Sequence, residues 1–182
     1  MKQTIVVFGS SRGQPGDAEY EQARALGRLL ALAGLDVVSG GYGGSMQGVS
    51  QGAAEAGGRA IGVTCATFGP AEGNPYLSQT IHTPDLPARL RQLVALGDGF
   101  VVLPGGIGTL AELFVVWNLL AVQAIDKPIV LLGAHWRHVL ATLEQETHIE
   151  APHVAILNLV DTPAQAVQTL LARLHRKPPQ KP

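Results

Sequence analysis

The fold turns on one stretch, Gly99-Phe100-Val101-Val102-Leu103-Pro104-Gly105-Gly106-Ile107-Gly108-Thr109-Leu110-Ala111-Glu112. Its first part, Gly99 to Leu103, is a short, continuous apolar run with the length and β-branched content of a strand covered on both faces. A proline and glycines break the run, and an Ala/Leu-rich segment, Thr109–Val122, follows as a helix. Glycines at such a junction let backbone N–H groups approach an anion, and the helix behind them turns its positive end toward it. Thr109 adds a hydroxyl donor. The stretch reads as a strand, a phosphate cradle and a helix.

The same grammar recurs along the chain. Thr4–Phe8 is a strand, followed by the loop Gly9-Ser10-Ser11-Arg12-Gly13. A helix over Asp17–Ala33 then carries Ala23, Leu26, Leu29, Leu30 and Ala33 at helical spacing, with Asp17 as its cap and Gly34 as its stop. Asp36–Ser39 is a second strand, followed by Gly40-Gly41-Tyr42-Gly43-Gly44-Ser45 and a small-residue helix over Ser45–Ala56 that ends at Gly57-Gly58. Arg59–Val63 is a third strand. Thr64–Pro84 is irregular, holds Pro70, Gly73 and Pro75, and includes a short strand near Thr80–His82. Loops of that length are often lids or binding loops. Leu86–Leu96 is a helix leading into Gly99–Leu103. Two strand–helix pairs complete the chain: Pro128–Leu132 with Trp136–Thr147, and Val154–Leu159 with Pro163–Arg173.

Apolar strands alternating with helices imply an α/β fold, a doubly wound parallel sheet with helices on both faces. The pattern reads as a single domain over residues 1–175 with a frayed, flexible tail over 176–182. Ligands of such sheets bind beyond the carboxyl ends of the strands, at the switch point. The three glycine-rich loops, at Gly9–Gly13, Gly40–Ser45 and Pro104–Thr109, follow strands.

Composition narrows the function classes. The 182 residues carry 13 Lys+Arg and 14 Asp+Glu, a net charge of −1, which argues against a general nucleic-acid binder, since that needs a basic face. The single cysteine, Cys65, excludes an intrachain disulfide framework and reads as a small buried hydrophobe. No apolar stretch reaches membrane-spanning length. Met1-Lys2-Gln3 leads straight into an apolar run too short for a signal core, so the expected location is cytoplasmic. Low charge also favours self-association. On Leu113–Val122, the residues Leu113, Phe114, Val116, Trp117, Leu120 and Ala121 cover more than one helical face, which suggests a dimer surface; packing on the sheet is the simpler alternative.

The loops lack G-x-G-x-x-G with an acid about twenty residues on, and they lack G-x-x-x-x-G-K-[ST]. No metal site is expected: the histidines show no ligand spacing, and His135 and His138 flank Trp136 as structural residues. Glu112, placed on the first turn of the Thr109 helix, either closes a capping box with Thr109 or offers a carboxylate one turn from the phosphate cradle, within reach of an attached ribose. Arg89 and Arg91 lie on the helix before the key strand. Either one can serve phosphate or carboxylate, and either can be a solvated helix residue, Arg91 more so.

Pro104-Gly105-Gly106-Ile107-Gly108-Thr109-Leu110-Ala111-Glu112 fits PGGxGTxxE, and it resembles the signature of the LOG (Lonely Guy) family of cytokinin riboside 5′-monophosphate phosphoribohydrolases. Val7-Phe8-Gly9-Ser10-Ser11, Gly40-Gly41-Tyr42-Gly43-Gly44-Ser45-Met46 and Gly57-Gly58-Arg59-Ala60-Ile61-Gly62-Val63 are similar to further segments of that family, over about residues 4–135. The resemblance implies a Rossmann-like fold and a homodimer. It also implies cleavage of a nucleoside monophosphate to free base and ribose 5-phosphate, without a cofactor. It assigns catalysis to Arg89 and Glu112. Nucleotide binding would fall to Gly9, Ser10, Ser11, Gly40, Gly41, Gly43, Gly44, Met46, Gly105, Gly106, Gly108 and Thr109.

The chain departs from the family where the usual Arg-Lys reads Arg89-Leu90, where Glu-Glu reads Ala111-Glu112, and in a second glycine loop one residue shorter. Members are often labelled lysine decarboxylases, but a pyridoxal-phosphate enzyme needs a lysine in its site. This chain has only Lys2, Lys127, Lys177 and Lys181, none of them near the glycine loops. A non-catalytic nucleotide or cofactor binder, like the similarly folded molybdenum-cofactor carriers, is the alternative expectation. A dimeric scaffold with a vestigial pocket is a third.

Overall fold

The computed structural model describes residues 2–68 and 72–175, so the tail expected over 176–182 lies outside the described residues. The strands are β1 (Thr4–Phe8), β2 (Asp36–Ser39), β3 (Ala60–Cys65), β4 (Gln79–Thr83), β5 (Gly99–Val102), β6 (Ile129–Leu132) and β7 (Asn158–Val160). The helices are α1 (Ala18–Leu32), α2 (Ser45–Glu55), α3 (Leu86–Leu96), α4 (Ile107–Ala121), α5 (His135–Glu146), α6 (Ala151–Val154) and α7 (Pro163–Leu174).

All seven strands form one sheet in the order β4-β3-β2-β1-β5-β6-β7, and every pairing is parallel. The order reverses between β1 and β5, which pair from Ile5–Gly99 to Phe8–Val102. The loops leaving these two strands therefore diverge, and the crevice between them is the switch point.

Side-chain alternation splits the strands between two cores. One face (Ile5, Val7, Val37, Val101, Val130) packs on α1, α2 and α7 through residues such as Leu26, Leu30, Val49 and Leu170. The other (Val6, Phe8, Val38, Val63, Phe100, Leu131) packs on α3, α4 and α5 through Leu93, Leu113, Trp117 and Trp136. This is the expected doubly wound architecture.

Local chemistry sets the helix starts. The Asp85 carboxylate accepts the Ala88 amide at 2.7 Å and starts α3. Thr162 and Gln165 cap α7 reciprocally.

Several expected boundaries move. α4 starts at Ile107 with Gly106 as its cap residue, so Thr109 lies inside the first turn and caps nothing. Glu112 sits on the second turn, and the capping-box alternative falls. Val154 ends the short helix α6 rather than opening a strand, because Glu150 and His153 cap that turn reciprocally. The dimer expectation on α4 narrows as well: Leu113, Val116 and Trp117 are buried against the sheet, leaving Phe114 and Val122 exposed. Asp17 precedes α1 but makes no capping bond. It accepts the Gln14 amide instead.

Candidate functional site

The carboxyl ends of β1, β2, β3 and β5 carry the candidate residues. The loops here are laced by backbone bonds. Ser10 N–H donates to Pro104 O at 3.2 Å, joining the β1 and β5 loops. Ser45 N–H donates to Ser10 O at 2.9 Å, joining the start of α2 to them. Gly9 abuts the Ser45 Cβ and Leu103, and a side chain there would separate these loops. Gly44 has φ +64, and a Cβ on it would strike the carbonyls of Ser10 and Arg12; only glycine meets both conditions.

The β5 loop is open. Gly105, Gly106, Ile107 and Gly108 are exposed, and beyond the adjoining backbone no described atom lies within 4 Å of a Cβ placed on Gly106 or Gly108. The Thr109 hydroxyl is tucked beneath Gly105, where any side chain would displace it. Gly106 gives α4 no capping side chain, and the first amides of a helix have no partner within it. Such an end takes an anion.

Arg89 and Glu112 meet beside this end. Arg89 Nη1 donates to Glu112 Oε1 at 2.8 Å, with the two side chains only 7% and 8% exposed. Arg89 Nε donates to the Val63 carbonyl at 2.8 Å, which fixes the guanidinium over the end of β3. The third nitrogen, Nη2, runs past Gly40, where a Cβ would collide with it and lie 2.6 Å from Met46 Sδ. Gly40 is thus glycine to clear a path for Arg89. Burial strips water from Glu112 and raises its pKa above 4.5; the Arg89 charge and hydrogen bond oppose that rise. Arg91, two positions from Arg89, is exposed, as the solvated alternative has it.

The sequence-selected residues do not form one uniform cradle. Gly105, Gly106, Gly108 and Thr109 form the open helix start, and Gly9 and Ser10 join it through the Ser10–Pro104 bond, with Ser11 exposed beyond them. Gly40, Gly41, Gly44 and Met46 are buried, and Gly43 is half-buried. The Gly41 amide is already bound to Ser39 Oγ. This second loop builds the wall behind Arg89.

Two neighbours escaped the sequence reading. The Tyr42 hydroxyl accepts the Cys65 amide at 2.8 Å and lies 3.3 Å from the Cys65 carbonyl, and its ring centre is 5.9 Å from the Arg89 guanidinium carbon. Asn74 reaches from the irregular stretch to the Gly41 and Tyr42 carbonyls at 3.3 and 3.2 Å. The aromatic ring inside a glycine loop was the available signal for Tyr42; Asn74 had none. Cys65 is buried as expected, and a hydrogen bond from Thr67, the largest influence on it, lowers its thiol pKa. Lys127 donates to the Val94 carbonyl and lies next to β6's amino end, away from these loops. Among the described residues, no group of three or more His, Cys, Asp or Glu is placed to hold a metal.

A doubly wound parallel sheet with an open helix start and a buried Arg–Glu pair at the carboxyl ends of its strands defines a Rossmann-like α/β protein. The family model described as "Possible lysine decarboxylase" matches residues 46–170, and the chain belongs to that family, the LOG family. Among its relatives, the cytokinin riboside 5′-monophosphate phosphoribohydrolase of Rhodococcoides fascians is 29% identical, covering 93% of this chain and 84% of that protein. An Oryza sativa relative named "Probable cytokinin riboside 5′-monophosphate phosphoribohydrolase" is 31% identical over 92% of this chain and 70% of its own length.

Solved structures share the fold, two of them at about 30% identity. That of TM1055 has a TM-score of 0.74 at 31% identity, covering 93% of this chain and 99% of that one. The molybdenum cofactor carrier protein of Chlamydomonas reinhardtii has a TM-score of 0.69 at 29% identity, covering 94% and 99%. The named relatives are hydrolases, and the LOG family is not one of pyridoxal-phosphate decarboxylases.

Proposed function

We propose that the chain hydrolyses the N-glycosidic bond of a nucleoside 5′-monophosphate, a cytokinin riboside monophosphate or AMP, to free base and ribose 5-phosphate. The observation that carries this reading is the buried Arg89–Glu112 pair, 2.8 Å apart, beside the open start of α4. In the reaction the C1′–N bond breaks and its electron pair leaves with the base. Water adds to C1′; its hydroxyl stays on the sugar and its proton ends on the base.

The transition state resembles a ribosyl oxocarbenium cation. Glu112 stabilises that cation, holds the ribose hydroxyls and orients the water. Arg89 fixes the Glu112 carboxylate and contacts ribose or phosphate. Gly105, Gly106, Gly108 and Thr109 anchor the 5′-phosphate, flanked by Gly9, Ser10 and Ser11. Gly40, Gly41, Gly43, Gly44 and Met46 shape the wall that holds Arg89 in place. Binding the remote phosphate positions C1′ against Glu112.

A second reading, a non-catalytic carrier, is favoured by the likeness to the Chlamydomonas protein. Electrostatics separates the two. A carrier gains nothing from a buried carboxylate beside its anion site, whereas a developing ribosyl cation is stabilised by one.

A homodimer is part of the proposal. Leu90, Val94, Ala95, Val115 and Leu119, with Arg91, line a largely apolar groove between α3 and α4, and Phe114 on α4 is exposed. The departure at Leu90 contributes apolar surface to it. A cytoplasmic location fits the one buried, free cysteine. Among the described residues, no helix is long and apolar enough to cross a membrane.

The test is product identification. Incubation with AMP and with an N6-substituted AMP should give free base and ribose 5-phosphate by chromatography. Recovery of intact nucleotide that nonetheless raises the melting temperature would replace hydrolysis with the carrier reading.

A further inference from the structure

Beyond Arg89, on the side away from α4, the site continues into an aromatic pair that the proposed reaction does not use. Tyr42 is pinned by its hydroxyl to the Cys65 backbone, with bonds of 2.8 and 3.3 Å. Phe68 follows β3 on a short helical turn and meets the Tyr42 ring edge to face, with centres 6.0 Å apart and planes at 77°. Phe68 is 56% exposed and joins the site through the Tyr42 ring, whose centre lies 5.9 Å from the Arg89 guanidinium carbon. An exposed aromatic ring held by a fixed second ring is costly to leave in water and well suited to stacking.

The order of groups along the sheet edge is that of a nucleotide. The open helix start follows β5, and Glu112 and Arg89 come next. Tyr42 follows β2 and Phe68 follows β3. From β5 to β3 is three strand spacings in the observed order, about 14 Å, the length scale of phosphate, ribose and base laid end to end. With phosphate at α4 and ribose at Glu112, the remaining aromatic group of the ligand falls at Phe68.

Resting on the hydrolase reading for the placement of phosphate and ribose, we propose that Phe68, braced by Tyr42, is the stacking platform for the substrate's base. Stacking is sequence-tolerant in kind but stronger for larger ring systems, so the platform selects purine over pyrimidine nucleotides.

The test separates base from sugar phosphate. In the Glu112→Gln background, expected to keep affinity while turnover falls about 10²–10³-fold, binding of AMP, UMP and ribose 5-phosphate is measured by calorimetry with Phe68, Phe68→Ala and Phe68→Trp. The platform predicts that Phe68→Ala weakens AMP by about tenfold or more. It predicts that ribose 5-phosphate is unchanged, that the AMP-over-UMP preference narrows, and that Phe68→Trp restores it. Because Phe68 is exposed, the melting temperature of Phe68→Ala should match the parent. Unchanged AMP binding, or equal weakening of AMP and ribose 5-phosphate, overturns the platform. If the wild type binds AMP through Phe68 but releases no base, the platform stands and the hydrolase reading fails. If no nucleotide binds the parent protein, both fail.

Discussion

Glu112 carries opposing forces. Loss of hydration raises its pKa, and the Arg89 guanidinium 2.8 Å away pulls it down, with burial the larger influence. Hydrolysis needs the carboxylate, so activity is lost as pH falls through a value above the ordinary 4.5. A pH–rate profile of kcat/KM should show that acid limb displaced upward; a limb at or below 4.5 contradicts the assignment. By linkage, this group's contribution to stability is full below its unfolded value and is lost as pH rises through the folded one. Gly40 makes a second test at this scale. A Cβ there meets Arg89 Nη2 and Met46 Sδ, so Gly40→Ala should move the guanidinium and lower kcat by on the order of 10²-fold. Wild-type kcat in that variant would mean that Arg89 needs no such clearance. The spacing of Glu112 from the Pro104 loop was legible in the sequence. The burial of Arg89 was not, because one arginine on an amphipathic helix looks the same whether it faces water or a carboxylate on another element.

Among the elements, α1 and α2 pack with their backbones in close approach. A Cβ on Gly27 would run into the Val49 carbonyl, and one on Gly52 into the Arg24 carbonyl. Helix propensity alone favours Gly52→Ala by about 1 kcal/mol. Overpacking against a backbone that cannot swing aside costs about 1–3 kcal/mol. Packing should win, and Gly52→Ala should lower the denaturation midpoint; a raised midpoint would show that the helices can separate freely. Segment type was mostly legible, since strands and helices differ in apolar period. Helix starts were less so. Gly106 caps α4 without any side chain, so Thr109, with Glu112 three residues on, imitated a cap three residues late. The apolar Val154–Leu159 run likewise lacked a period long enough to tell a helical turn from a strand. The reciprocal caps between Glu150 and His153 decide it.

For the whole molecule, continuous apolar strands predicted a parallel sheet covered on both faces, and the sheet is so built. The strand order depends on which way each crossover turns, which composition and spacing do not encode. That order creates the site, because it sets the β1 and β5 loops side by side and lines up the β2 and β3 loops beyond them. Assembly belongs to this scale too. Light scattering should show a dimer at micromolar concentration, and Leu90→Glu, which puts a charge into the α3–α4 groove, should give a folded monomer. A wild-type monomer at all concentrations would remove the dimer. The central claim is that the buried carboxylate at the switch point breaks the glycosidic bond, and its most direct test is single-turnover base release from AMP by wild type and Glu112→Gln, with AMP affinity measured in parallel. Glu112→Gln should lower the rate by about 10²–10³-fold, the scale of removing one transition-state contact, with affinity retained. Base release by Glu112→Gln at the wild-type rate would contradict it.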